Sequence, residues 1–139
     1  MAVAGATLLL ALAVGAQPAR AASGGGCRDS SNSIVHVGVC ISYRPSDRML
    51  LPDFYVNWSF YSSNSFWWYI ELQRADGRRV IIGGDPNRGV GHYGPYRVST
   101  SGIGAGGTIR TMIKLNSLGC CGDVVTWAGP FYSPWLNYP

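Results

Sequence analysis

The sequence predicts an all-β fold, a small antiparallel β-sandwich of about six or seven strands stapled by disulfides. Three observations carry this expectation. Apolar residues recur with a period of two along most of the chain beyond Gly26, turn-forming residues punctuate the runs, and all four cysteines fall in that same region.

The first residues stand apart. Met1–Ala16 is an uncharged apolar run rich in small residues, followed by Gln17-Pro18 and an A-x-A tripeptide, Ala19-Arg20-Ala21. An apolar segment, a helix breaker and a small-residue site are the parts of a secretory signal peptide, although no Lys or Arg precedes the run. It falls short of the ~20 apolar residues that span a bilayer, so no membrane span is expected. Residues 1–21 are therefore expected as a leader and 22–33 as a flexible segment containing Ser23-Gly24-Gly25-Gly26, with 34–139 a single β domain.

Within the domain, Val35, Val37, Val39, Ile41 and Tyr43 alternate with Ile34, His36, Gly38, Cys40 and Ser42, which predicts a strand with one apolar face. Arg44-Pro45-Ser46-Asp47 ends it. A second strand, 53–61, turns Phe54, Val56, Trp58 and Phe60 inward and Tyr55, Asn57, Ser59 and Tyr61 outward. Ser62–Ser65 reads as a turn. The third strand, 66–74, has Trp68, Ile70 and Leu72 on one side and Trp67, Tyr69, Glu71 and Gln73 on the other.

Asp76-Gly77 then predicts a hairpin with a type I′ turn, which needs positive φ at both central residues. Arg79–Ile82 returns, and a loop rich in glycine is expected over Gly83–Pro95. Short runs at 96–100, 108–115 and 123–127 complete the strands, and Pro130, Pro134 and Pro139 mark a tail. There are no internal repeats. In general layout this resembles immunoglobulin-like sandwiches, and the resemblance implies architecture alone.

An even cysteine count in an exported chain reads as disulfides. Cys27–Cys40 closes easily across a turn and would leave Cys120 with Cys121 as a vicinal pair; the alternative is that both reach back to the N-terminal pair. No metal is expected, because there is no C-x-x-C and the only histidines, His36 and His92, are not at ligand spacing. The formal net charge is +4 and no basic block exceeds Arg78-Arg79, so nucleic acid is not expected as a partner. Ten of the eleven basic residues are Arg, which together with abundant Ala and Gly matches a high-GC bacterial genome.

Catalytic readings are weak. Gly89-Val90-Gly91-His92-Tyr93-Gly94 spells G-x-G-x-x-G, yet Pro95 follows and no helix opens to face a phosphate, so no nucleotide cofactor is expected. A glycosidase would need a second carboxylate near Glu71, and Asp53 qualifies only if the two strands pair. Asn57-Trp58-Ser59 matches a glycosylation sequon inside a strand and is read as chance. No enzyme is expected.

The informative feature is the outward-facing set Tyr55, Asn57, Tyr61, Trp67, Tyr69 and Glu71. Planar rings with amides, hydroxyls and a carboxylate between them suit a sugar, so a secreted non-catalytic module binding polysaccharide or cell-wall glycan is the leading expectation. The alternatives are an inhibitor or interaction factor presenting Asn87, Arg88, His92 and Tyr93 of the glycine-rich loop to an extracellular protein, and a structural surface component.

Overall fold

The computed structural model describes residues 21–33, 35–59, 66–88, 90–117 and 126–139. They form two antiparallel sheets facing one another across a shared core, with one short helix. Residues 1–20 of the expected leader, Ile34, the expected turn at 62–65, and Cys120 and Cys121 lie outside the described residues.

The smaller sheet is a meander followed by a returning edge. β2 (Gly26–Ser31) lies at its edge and β1 (Ser23–Gly24) at an edge of the larger sheet, both in the stretch expected as a flexible lead-in. β2 pairs with β3 (Val35–Arg44), setting Cys27 directly opposite Cys40, and a disulfide joins them. This pairing excludes the cross-linked alternative. β3 pairs with β4 (Met49–Ser59), whose start lies four residues earlier than the period suggests. In that hairpin the Asp47 carboxylate receives Arg44 at 2.6 Å and Arg97 at 2.9 Å.

β5 (Phe66–Arg74) belongs to the other sheet, where it lies between β6 (Arg79–Arg88) and β9 (Gly107–Ser117). The hairpin at Asp76-Gly77 is present, with a different turn. Arg74 and Arg78 close a three-residue loop, the Gly77 N–H reaches the Arg74 carbonyl at 3.1 Å, and only Gly77 has positive φ. The Asp76 carboxylate is the reason: it accepts from the Arg78 N–H at 3.1 Å and holds Arg74 Nε at 2.9 Å. A type I turn followed by a left-handed glycine gives it that position.

The expected loop at Gly83–Pro95 is mostly strand. β6 runs on to Arg88 beside β5, absorbing extra residues at two register shifts. β7 (Gly91–Tyr93) then crosses to pair with the second half of β4, and β8 (Val98–Ser99) pairs with the first half. Helix α1 (Thr100–Ile103) leads back to β9. The proline tail also folds as strand: β10 (Thr126–Tyr132) pairs with the C-terminal half of β9, and β11 (Leu136–Tyr138) with its start. Eleven strands among the described residues, rather than six or seven, follow from these interrupted edges.

The inward faces match the period-two reading. Val35, Val37, Val39, Phe54, Val56 and Tyr93 from one sheet meet Trp68, Ile70, Ile113, Leu115, Ala128 and Phe131 from the other. A second cluster built on Ile41, Leu50, Leu72, Ile109 and Leu136 closes the far end. Phe54 anchors the first, its ring stacked on Tyr93 at 4.8 Å and edge-on to Trp68 at 5.5 Å. Truncating such a side chain costs about 3–5 kcal/mol, a large share of a small domain's stability.

Candidate functional site

The sequence brings six residues together on paper, and the fold divides them. Because β4 and β5 lie in different sheets, Tyr55 and Asn57 face outward from the smaller sheet, whereas Trp67, Tyr69 and Glu71 face outward from the larger one. Alternation along each strand is the same whichever sheet it joins, so the local pattern could not reveal the split. Tyr61 lies outside the described residues.

On the smaller sheet, Tyr55 stacks on His92 at 4.4 Å, and His92 Nε2 meets Asp53 Oδ2 at 2.8 Å. Tyr55 lies opposite Gly38, where a Cβ would come within 3.2 Å of its ring and 2.8 Å of Asp29 Oδ1. Glycine thus lets the ring lie flat across the strand. Asp53 is spent on His92 and is remote from Glu71, so the two carboxylates do not form a pair. Of the loop residues expected to meet a partner, His92 is exposed but Tyr93 is buried against Phe54. Asn87 and Arg88 lie within β6, their side chains outside those described.

On the larger sheet the register sets side chains in rows. Trp67 lies opposite Asn116, Tyr69 opposite Lys114, Glu71 opposite Met112 and Gln73 opposite Arg110. Trp67 is 42% exposed, while Glu71 on the same face is only 4% exposed. The Glu71 carboxylate accepts from the Tyr69 hydroxyl at 2.8 Å and from the Gln73 amide, and Arg79 stands 3.9 Å away. Burial and the neighbouring carboxylate push the Tyr69 hydroxyl above its ordinary value of 10.0, so it stays a proton donor to Glu71 at neutral pH.

The network continues across the strands. Arg110 donates to Gln73 Oε1 at 3.1 Å and lies over the rings of Tyr132, at 3.8 Å, and Trp135, at 4.5 Å. Trp135 remains 40% exposed. Between these rows a groove of about 580 Å³ is lined by Tyr69, Glu71, Arg79, Met112, Lys114 and the Gly129-Pro130 bend. Trp67 and Trp135 mark rows six residues apart along β9, about 20 Å at ~3.4 Å per residue.

Sequence reasoning finds Trp67, Tyr69 and Glu71 and misses Arg79, Arg110, Lys114, Tyr132 and Trp135. The outward side of β9 was legible as Arg110, Met112 and Lys114, but its neighbour was not. Tyr132 and Trp135 lay hidden in a stretch read as tail. Among the described residues no group of three side chains could hold a metal, and no helix is long and apolar enough to cross a membrane. Compared with models of protein families, with curated proteins and with solved structures, the chain matches none of them.

Proposed function

We propose that this chain is a secreted, non-catalytic binding module, immunoglobulin-like in general layout, that recognises carbohydrate or cell-wall glycan. The binding face is the outer side of the larger sheet, with Trp67, Tyr69 and Glu71 joined by Lys114, Arg110 and Trp135. One observation carries the reading: two tryptophans stay substantially exposed on one face, with a groove between them that Tyr69, Glu71, Arg79 and Lys114 border. Exposed apolar area on a soluble domain marks an interaction surface. Rings of this kind stack on the C–H faces of sugars, and fixed polar groups between them meet hydroxyls.

The groups are held before any ligand arrives. Glu71 fixes the Tyr69 hydroxyl, and Arg110 fixes Trp135, so little side-chain freedom remains to be lost on binding. The apolar leader and the Cys27–Cys40 disulfide support an exported location. An interaction factor working through 83–95 has less support, since those residues run largely in β6 and β7 and bury Tyr93.

The test is titration of the mature protein with a polysaccharide panel while tryptophan fluorescence is followed. A saturable shift with one glycan, lost in Trp67→Ala without loss of the folded circular-dichroism signal, supports the reading. A flat response across the panel overturns it.

A further inference from the structure

The charges facing the groove point to a narrower ligand class. Among the described residues three ionisable side chains border it besides Tyr69: Glu71, Arg79 and Lys114. Glu71 offers a ligand little. One oxygen is engaged by Tyr69, the other by Gln73, and Arg79 at 3.9 Å offsets its charge. Lys114 differs. It has no ion pair or hydrogen bond among the described residues, and it stands directly across from Tyr69 at the middle of the face. Among the described residues the groove therefore carries one uncompensated positive charge with three unspent donors, beside a ring held by its own hydroxyl.

Resting on the glycan reading above, we propose that the groove binds an acidic polysaccharide, a polymer of hexuronate units, with the sugar carboxylate on Lys114 and the ring faces on Trp67 and Tyr69. An ammonium–carboxylate hydrogen bond is roughly twice as strong as a neutral one, so Lys114 separates a uronate from its uncharged counterpart. The ~20 Å between the Trp67 and Trp135 rows exceeds the length of one sugar ring, which favours a polymer over a monosaccharide. Without Arg20 of the expected leader, ten basic residues against seven acidic leave a net charge of +3, which adds long-range attraction for a polyanion.

The experiment uses the full mature chain and three probes: polygalacturonate, the same polymer fully methyl-esterified, and polyaspartate. Esterification removes charge and keeps the pyranose backbone, whereas polyaspartate keeps charge and lacks the rings. The expected result is saturable binding of polygalacturonate, weakened about tenfold or more by esterification and by Lys114→Gln, as loss of a charged hydrogen bond requires. Trp67→Ala removes binding of both sugar polymers, and each variant's thermal melt verifies folding. Equal affinity for acid and ester, an unchanged affinity in Lys114→Gln, or polyaspartate binding as tightly as polygalacturonate overturns the acidic-sugar proposal. The first two leave the glycan face standing. Binding of neither sugar polymer, with a flat response across the wider panel, overturns the glycan reading as well.

Discussion

The Thr111 hydroxyl donates a 2.8 Å hydrogen bond to the carbonyl oxygen of Cys40, tying the middle of β9 to β3 across the core. Thr111 is fully buried and its backbone is engaged too. Its N–H donates to Ser133 Oγ at 2.9 Å, and its carbonyl accepts from the Ser133 N–H at 3.0 Å. Ser133 thus fills the gap where the edge beside β9 breaks between β10 and β11. A buried amide left there without an acceptor would be costly.

Two substitutions separate these roles. Thr111→Val removes the bond between the sheets while keeping shape, and should lower unfolding stability by about 1 kcal/mol. Ser133→Ala strands the Thr111 N–H and should cost more, about 1–3 kcal/mol. Urea unfolding measures both, and a larger loss for Thr111→Val would contradict the order.

The disulfide staples an edge strand with little apolar area of its own. Replacing Cys27 and Cys40 together by Ala should destabilise the domain by about 3 kcal/mol, as expected for a loop of this length. Amide exchange should rise first in β2. Non-reducing peptide mapping should recover Cys27 linked to Cys40; a peptide joining Cys27 to Cys120 or Cys121 would refute the pairing.

Acid should weaken both hairpins. The Arg44 guanidinium holds the Asp47 carboxyl below its ordinary value of 3.8, and the Arg78 N–H with Arg74 does the same for Asp76. A depressed carboxylate stabilises the fold fully above its unfolded value, and the benefit fades as pH falls through the folded one. Stability contributed by these pairs should therefore be constant near neutrality and decline below about pH 3.8. Thermal melts of Asp47→Asn and Asp76→Asn should show a shallower decline than the parent in that range; parallel curves would exclude these groups.

Arg110 links the polar network to the exposed aromatics. Arg110→Gln should lower stability by about 0.5–1 kcal/mol, the worth of an exposed cation–π contact, and leave Trp135 more accessible to iodide quenching. Unchanged quenching would show that Trp135 is held by something else.

The strands with alternating apolar faces, β3, β5 and β9, were legible because each packs one side on the core. The Asp76-Gly77 hairpin was legible from its turn residues, though not the turn type, which depends on where the Asp76 carboxylate finds donors. β2 was illegible because an edge strand of Cys, Arg, Asp and Ser has no apolar face to announce it. β6 and β10 were illegible beyond Ile82 and Trp127, where glycine and proline occupy positions that an edge or a bulge tolerates. Of the candidate site, Trp67, Tyr69 and Glu71 were legible from one strand. Its other half comes from β9, β10 and the turn before β11, and depends on the long-range pairing of β5 with β9, from Phe66 with Ser117 to Arg74 with Ile109, and on β10 folding back on β9.

The irregular course of β6 has a colloidal consequence. A strand at the margin of a sheet is a template on which a second copy can grow, and a straight one invites fibres. Here the margin carries two extra residues and Pro86, which cannot donate to a neighbour, so its bonding groups fall out of step with any regular strand laid beside it. Such a margin lets the chain reach high local concentration without seeding precipitation.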